Sequence, residues 1–257
     1  MKPAAAIVAA GLLTVACAGV RTPAPTGPTP GYLPPGRMAA LVAEAATWRD
    51  RDDLAASEAL RALEDTDRWW MAIAHAELRP PEAAQHFDCV LGTLLAASPR
   101  PALSRIMNRL LTDSTALSAR LAAAHPRPRP IVADPSRRAC QRMTDADRSR
   151  GSWPATGAVI GAAYGELFAS LAPDRAAHAR AMGREIGVSR AVCAMNWPSD
   201  VEDGLRLGQA LYARAETSPA FQPDLEAARA ELARARTEGL TSPACAAERR
   251  ALRPGGD

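Results

Sequence analysis

The distribution of apolar and polar residues along the chain predicts an all-α fold. From Met38 onward, apolar residues recur at helical spacing among strong helix formers, and no segment alternates as a half-buried strand would. Between Val201 and Tyr212, apolar or small residues fall on one helical face and charged residues on the other. After a first helical region that begins at residue 38, we expect helices around residues 66–77, 82–97, 102–124, 155–171, 174–188, 199–215 and 219–237.

Two segments interrupt the helical pattern. Residues 126–153 are rich in proline and polar side chains, and a loop this long inside a helical domain is usually functional or disordered. Residues 19–37 are dense in Pro, Gly and Thr, which predicts an extended, solvated tether. We therefore expect one helical domain over residues 38–250 and a short tail over residues 251–257.

The first 18 residues are expected to be an export signal. They carry one cation, an apolar run too short to cross a bilayer, and small residues at the end. The ending LTVAC is similar to a bacterial lipoprotein signal, in which Cys17 would be lipidated, and cleavage after Ala18 is the alternative. Either way we expect the protein in the periplasm or cell envelope, touching the membrane only through a lipid anchor.

Four cysteines follow Cys17, and an even number in an exported chain predicts two disulfides. Of the three possible pairings we favour Cys89–Cys140 and Cys193–Cys245, and the alternative is that some of them are small buried apolar residues. Their wide spacing, without a CxxC pair, argues against zinc. We expect no metal and no cofactor.

Composition limits the classes of partner. The 257 residues are 47% hydrophobic, which suits one globular domain, and the formal net charge of +3 is too weak to predict a nucleic-acid partner. Lys2 is the only lysine, so no lysine is available to a site in the folded domain.

Three short segments carry the candidate chemistry: Arg129-Pro130, SWPATGAVIG at residues 152–161, and SRAVCAMNWPSD at residues 189–200. Together they resemble the three signature segments of the class A bacterial non-specific acid phosphatases, which belong to the type-2 phosphatidic acid phosphatase and haloperoxidase superfamily. Further stretches that look like this family lie near residues 61–70, 87–95 and 218–232. The resemblance covers nearly the whole chain after the leader and implies a single all-α domain of the acid phosphatase type.

The resemblance also implies a division of labour. In the family, a histidine of the third segment attacks phosphorus and a histidine of the second segment protonates the leaving group. A lysine and two arginines hold the phosphate, and an aspartate orients the nucleophile, as phosphoryl transfer requires. In this sequence Arg129 and Arg190 match the phosphate-binding arginines, and Ser189 and Asp200 match their family positions.

Three positions depart from the family pattern. The lysine is replaced by Ala122, the leaving-group histidine by Gly157, and the nucleophile by Asn196. An amide nitrogen cannot replace imidazole as a nucleophile, and a general acid is typically worth roughly 10²–10⁴ in rate. The sequence therefore predicts a catalytically degenerate pseudophosphatase that retains binding of phosphate or a phosphorylated small molecule through Arg129 and Arg190.

Other interpretations stay open at this point. One is residual phosphomonoester hydrolysis with His125 as a stray base, and another is a non-catalytic scaffold, a homo-oligomer or a partner of an active paralogue. A purely structural interpretation is that Ser199 and Glu202 form a capping box. In that interpretation Asp200 pairs with Arg190 or accepts a hydrogen bond from Asn196.

Overall fold

The structure, a computed structural model, describes residues 29–45 and 51–253. The predicted export signal, the lipidation of Cys17 and the first part of the predicted tether lie outside the described residues. Within them, no helix is both long enough and apolar enough to cross a membrane.

The all-α fold is confirmed, because the described ranges contain helices and no strand. The α-helices are α1 (Pro35–Ala45), α2 (Leu54–Ala59), α3 (Asp67–Ala74), α4 (Asp88–Leu91), α5 (Pro101–Ala124), α6 (Pro130–Ala133), α7 (Asp145–Ser149), α8 (Thr156–Leu171), α9 (Ala176–Val192), α10 (Pro198–Ala215), α11 (Phe221–Thr237) and α12 (Cys245–Ala251). Short 3₁₀ helices cover Leu60–Leu63, Glu82–Phe87, Leu95–Ala97 and Pro173–Arg175.

Helix α8 forms the centre of the molecule. Thirteen of its 16 residues are buried, so its surface is apolar on nearly all sides, as expected for a helix surrounded by others. Glycines allow α9 to approach it closely: a Cβ at Gly183 would lie 2.4 Å from the carbonyl oxygen of Gly161. Because α8, α9 and α10 are held this tightly, the ends of these helices form a fixed frame for the three signature segments.

Two of the predicted segments differ from the structure. The single helix expected over residues 82–97 is broken into Glu82–Phe87, α4 and Leu95–Ala97, since Gly92 adopts the left-handed conformation at φ 67° and ends α4. The long loop predicted over residues 126–153 is folded onto the domain and contains α6 and α7.

The tether predicted over residues 19–37 is wrong for its last part. The backbone N–H of Tyr32 donates to Asp113 Oδ2 at 2.6 Å, and its hydroxyl donates to Asp224 Oδ2 at 2.7 Å. The Tyr32 side chain is buried, and α1 begins at Pro35, where proline suits the first turn. Residues 31–45 are therefore part of the domain.

Two disulfides form, as the four cysteines predicted, but the favoured pairing is wrong. Cys89 pairs with Cys245, and Cys140 pairs with Cys193. Packing decides this: α12 lies against α3 and α4, which puts the Cα atoms of Cys89 and Cys245 5.3 Å apart. Two disulfides fit an exported protein.

Candidate functional site

The three signature segments meet at the N-terminal ends of α8 and α10 and the C-terminal end of α9. The backbone N–H of Ala155 donates to the carbonyl oxygen of Asp200 at 3.1 Å, which joins the second segment to the third. The N–H of Ile131, beside the first segment, donates to the carbonyl oxygen of Ala194 at 3.1 Å. The structure therefore brings the predicted site residues of all three segments into one cluster.

Arg190 lies in the last turn of α9 and crosses directly over Gly157. A Cβ atom built on Gly157 would lie 2.6 Å from Arg190 Cδ and 2.8 Å from its Cγ. The methylenes of Arg190 thus fill the space that a side chain at position 157 would need. The missing side chain at position 157 and the placement of Arg190 therefore depend on each other.

The guanidinium of Arg190 is half-buried and has no hydrogen-bond or ion-pair partner within the described ranges. Burial, together with repulsion from Arg129, lowers the pKa of Arg190 to about 10. The group is therefore still a cation at neutral pH. A cation with neither full hydration nor a protein partner is a costly arrangement that an anion would relieve.

Arg129 is buried beside it, at the start of α6. Its Nε donates to the carbonyl oxygens of Asp147 at 3.0 Å and Arg150 at 3.1 Å, and its Nη1 donates to that of Met195 at 2.6 Å. Burial and then repulsion from Arg150 lower the pKa of Arg129. All three of these acceptors are neutral carbonyls, so no carboxylate in direct contact neutralises the guanidinium.

The N-terminus of α8 adds backbone donors to the same place. Ala155 caps the helix without a side-chain hydrogen bond, and in the part of the chain described here no acceptor contacts the N–H groups of Thr156 and Gly157. Free N–H groups and the helix dipole favour negative charge at such a terminus. Since Gly157 lies under Arg190, the helix terminus and the free guanidinium face the same space.

Asn196, at the nucleophile position, is buried and already bonded. Its side-chain Nδ2 donates to the backbone carbonyl of Ser152 at 2.5 Å. The hydrogen bond between Asn196 and Asp200 that we considered from the sequence is therefore absent. The amide instead ties the third signature segment to the second, which is a structural role.

Asp200 has a different partner from the one considered above. Its Oδ1 accepts from Arg127 Nη1 at 2.5 Å, and its Oδ2 accepts from Ser152 Oγ at 2.5 Å and from the N–H of Trp197 at 3.3 Å. The predicted ion pair of Asp200 with Arg190 is wrong. Burial raises the pKa of Asp200, and the hydrogen bond from Ser152 and the charge of Arg127 oppose that shift.

The proposed capping box of Ser199 and Glu202 is also wrong. Helix α10 begins at Pro198, so the N-cap is Trp197 and the side chain that accepts from its N–H is Asp200. The hydroxyl of Ser199 is hydrogen-bonded to Asp53 instead. Proline at the first position of the helix moves the cap two residues upstream of the one that the S-x-x-E pattern suggests.

Sequence reasoning missed Arg127, which organises this part of the site. Its guanidinium contacts Asp200, reaches Asp53 at 3.1 Å and lies over the Trp197 ring at 5.4 Å. The signal was present in the repeated Arg-Pro of residues 127–130, of which only the second pair matches the family pattern.

The hydroxyl of Ser189 is buried in a hydrogen-bond network and does not reach the surface of the cluster. It accepts from Arg68 Nη1 at 2.9 Å, donates to the carbonyl oxygen of Glu185 at 2.9 Å and lies 2.9 Å from His75 Nδ1. This network fixes the last turns of α9, from which Arg190 projects.

Ala122 and His125 lie at the C-terminal end of α5. A Cβ at Gly151 would lie 3.8 Å from the Cβ of Ala122, so position 122 is next to the second segment. His125 is exposed and makes an edge contact with Trp153, with ring centroids 5.0 Å apart. No contact within the described residues joins His125 to Arg190 or Asp200.

Comparison with curated proteins gives related sequences of one kind. The chain is 31% identical over 185 residues to an acid phosphatase of Zymomonas mobilis, a match that covers 70% of this chain and 69% of the relative. The chain belongs to the acid phosphatase family. No family model matches it.

Two further acid phosphatases show the same relationship. A non-specific acid phosphatase of Salmonella typhimurium is 28% identical over 172 residues, covering 66% of this chain and 69% of that protein. One from Providencia stuartii is 26% identical over 184 residues, covering 71% and 74% respectively. Membership of the acid phosphatase family thus agrees with the resemblance of the three signature segments.

Proposed function

We propose that this member of the acid phosphatase family binds phosphate, or the phosphate group of a small molecule, without hydrolysing it. The observation that carries the proposal is the Arg190 guanidinium, which is half-buried, cationic and without a protein partner in the described part of the chain. Arginine presents a planar set of donors that matches two phosphate oxygens at once.

The surroundings of Arg190 favour an anion over other ligands. Arg129 lies close enough to depress its pKa, and the free N–H groups at the start of α8 face the same space. An oxyanion would neutralise two adjacent cations and accept hydrogen bonds from the helix terminus. Within the described residues no carboxylate pairs directly with Arg190, and Asp147 acts on it only through its charge, so binding would not have to break an existing ion pair.

The same geometry argues against hydrolysis by the family's route. The amide nitrogen of Asn196 is not a nucleophile, because its lone pair is delocalised into the carbonyl, and this nitrogen donates to the Ser152 carbonyl. Gly157 supplies no general acid, and Arg190 fills the space above it. Asp200, whose counterpart orients the nucleophile in the family, is occupied by Arg127 and Ser152. Loss of a nucleophile and a general acid together removes the covalent step and the protonation step.

Calorimetry with inorganic phosphate on the full chain tests the binding. Arg190→Gln should weaken phosphate binding about tenfold or more, because hydrogen bonds to charged groups are worth roughly 1.5–3 kcal/mol. Arg184→Gln is the matched control, since Arg184 is an exposed arginine of the same helix and should bind phosphate like the parent protein. Equal affinity of the Arg190 and Arg184 variants would refute the proposed site.

Hydrolysis is measured in the same preparations with p-nitrophenyl phosphate. We expect the parent protein and His125→Ala to give the same rate as buffer alone. Turnover above that background which disappears in His125→Ala would replace the proposal by residual hydrolysis through His125.

A further inference from the structure

A second cleft lies on another part of the surface, between α3, the 3₁₀ helix Glu82–Phe87 and α12. Its volume is about 340 Å³, within the range of small-molecule sites. None of its lining residues belongs to the three signature segments. The disulfide Cys89–Cys245 holds the start of α12 in place as one wall of the cleft.

Two buried histidines line this cleft, and the hydrogen bond of His86 fixes which of its nitrogens carries the proton. His86 Nε2 lies 2.8 Å from the carbonyl oxygen of Glu77, which can only accept, so Nε2 carries the proton and Nδ1 keeps a bare lone pair. His75 Nδ1 lies 2.9 Å from Ser189 Oγ and is held by that contact. Burial lowers the pKa of both rings, that of His75 to about 3, so both are neutral.

The cleft also has excess negative charge. Glu248 lines it and makes no side-chain hydrogen bond or ion pair within the described residues. Burial and then repulsion from Asp88, which is 1% exposed, raise the pKa of Glu248 to about 6. The charge of Arg249 partly opposes this shift, and Asp67 at the same cleft is paired with Arg250 at 3.1 Å.

An apolar surface completes the lining. The Trp70 side chain is 58% exposed although it is one of the largest apolar groups of the chain, and Met71 and Ala74 lie beside it on α3. An aromatic face next to an unpaired carboxylate is the arrangement that attracts organic ammonium groups. The bare Nδ1 of His86 adds an acceptor for an N–H group of such a ligand.

We propose that this cleft binds a small organic cation, an ammonium group joined to an apolar body. The ammonium would donate to Glu248 and to the bare Nδ1 of His86, and the apolar body would cover Trp70. A metal ion is disfavoured, because within the described ranges no three His, Cys, Asp or Glu side chains are placed to hold one.

Ligand-observed NMR at pH 8, with benzylammonium as the probe, tests the proposal on the full, disulfide-bonded chain. Benzylammonium should bind in the millimolar range or tighter, and benzyl alcohol, which has the same apolar body without the charge, at least tenfold more weakly. Glu248→Gln should weaken benzylammonium about tenfold or more, since a hydrogen bond to a charged group is lost. Trp70→Ala should weaken both probes.

Glu226→Gln is the control, because Glu226 is an exposed carboxylate of α11 with no place in the cleft, and it should leave binding unchanged. Three outcomes would overturn the proposal: no binding of benzylammonium at 10 mM, equal binding of the two probes, or equal affinity of the Glu248 and Glu226 variants. Tight binding of Zn²⁺ without benzylammonium binding would replace it by a metal site.

Discussion

One buried carboxyl group, Asp88, is expected to make the stability of the fold depend on pH. It is 1% exposed, and burial raises its pKa from 3.8 to about 6, although its Oδ1 accepts from the N–H of Leu95. Because the folded state holds this proton more tightly than the unfolded state, the stabilising contribution is complete below pH 4. It is lost as pH rises through about 6, and the loss amounts to at most roughly 3 kcal/mol.

Asp88→Asn tests this, since the amide stays neutral and can still accept from Leu95. In urea titrations the variant should match the parent near pH 4 and exceed it by roughly 1–3 kcal/mol at pH 7. Asp145→Asn, at an exposed position of α7, should show no such difference between the two pH values. A parallel pH profile for the Asp88 variant and the parent would contradict the prediction.

The contacts of individual site residues could be predicted from the sequence only in part. The resemblance of the signature segments to the acid phosphatase family implied that positions 129, 157, 190, 196 and 200 lie together, and the structure brings them into one cluster. It did not predict that Arg127 takes Asp200, because that ion pair depends on how a loop 73 positions away in sequence folds back. Polar partners that are distant in sequence are fixed by tertiary packing, and helical periodicity has no information on them.

At the scale of elements, the contact between α8 and α9 should be sensitive to added volume. Gly183→Ala would put a Cβ 2.4 Å from the Gly161 carbonyl oxygen, so the helices must separate. We expect a loss of roughly 1–3 kcal/mol in the free energy of unfolding, measured by urea titration.

Gly36→Ala provides the control for helix propensity. A Cβ at Gly36, inside α1, has nothing within 4 Å, so alanine there should be neutral or add up to about 1 kcal/mol. If Gly183→Ala is as stable as Gly36→Ala, the close contact of α8 and α9 is not important for stability.

The long helices were predictable, and of the short ones α3 was expected near residues 66–77 while most others were not. Apolar periodicity placed α5, α8, α10 and α11 within a few residues, because each presents a continuous apolar surface to the core. The region of residues 82–97 has the same kind of composition, yet it is divided by a left-handed Gly92. The disulfide pairing could not be predicted from the sequence either, since four cysteines allow three pairings and only the packing of α12 selects one.

At the scale of the whole molecule, the family's catalytic residues should not restore turnover by themselves. The triple variant Ala122→Lys, Gly157→His, Asn196→His leaves Asp200 bonded to Arg127, so a histidine at position 196 would lack its orienting partner. Adding Arg127→Gln should raise kcat/KM for p-nitrophenyl phosphate at least about tenfold over the triple variant.

Arg120→Gln, an exposed arginine of α5, is the matched fourth change and should give no increase over the triple variant. Thermal unfolding of each variant shows whether the protein is folded before its rate is compared. Equal kcat/KM with Arg127→Gln and with Arg120→Gln would mean that the contact of Arg127 with Asp200 is not what limits the restored site.

The placement of Arg190 across Gly157 limits which single substitutions position 157 can accept. Any single substitution that gives position 157 a side chain collides with the arginine methylenes, 2.6 Å from the new Cβ, before it can confer any benefit. As long as residue 157 is glycine, the side chain of Arg190 can keep this position. A side chain at position 157 therefore requires a second change, either a new conformation of Arg190 or its substitution.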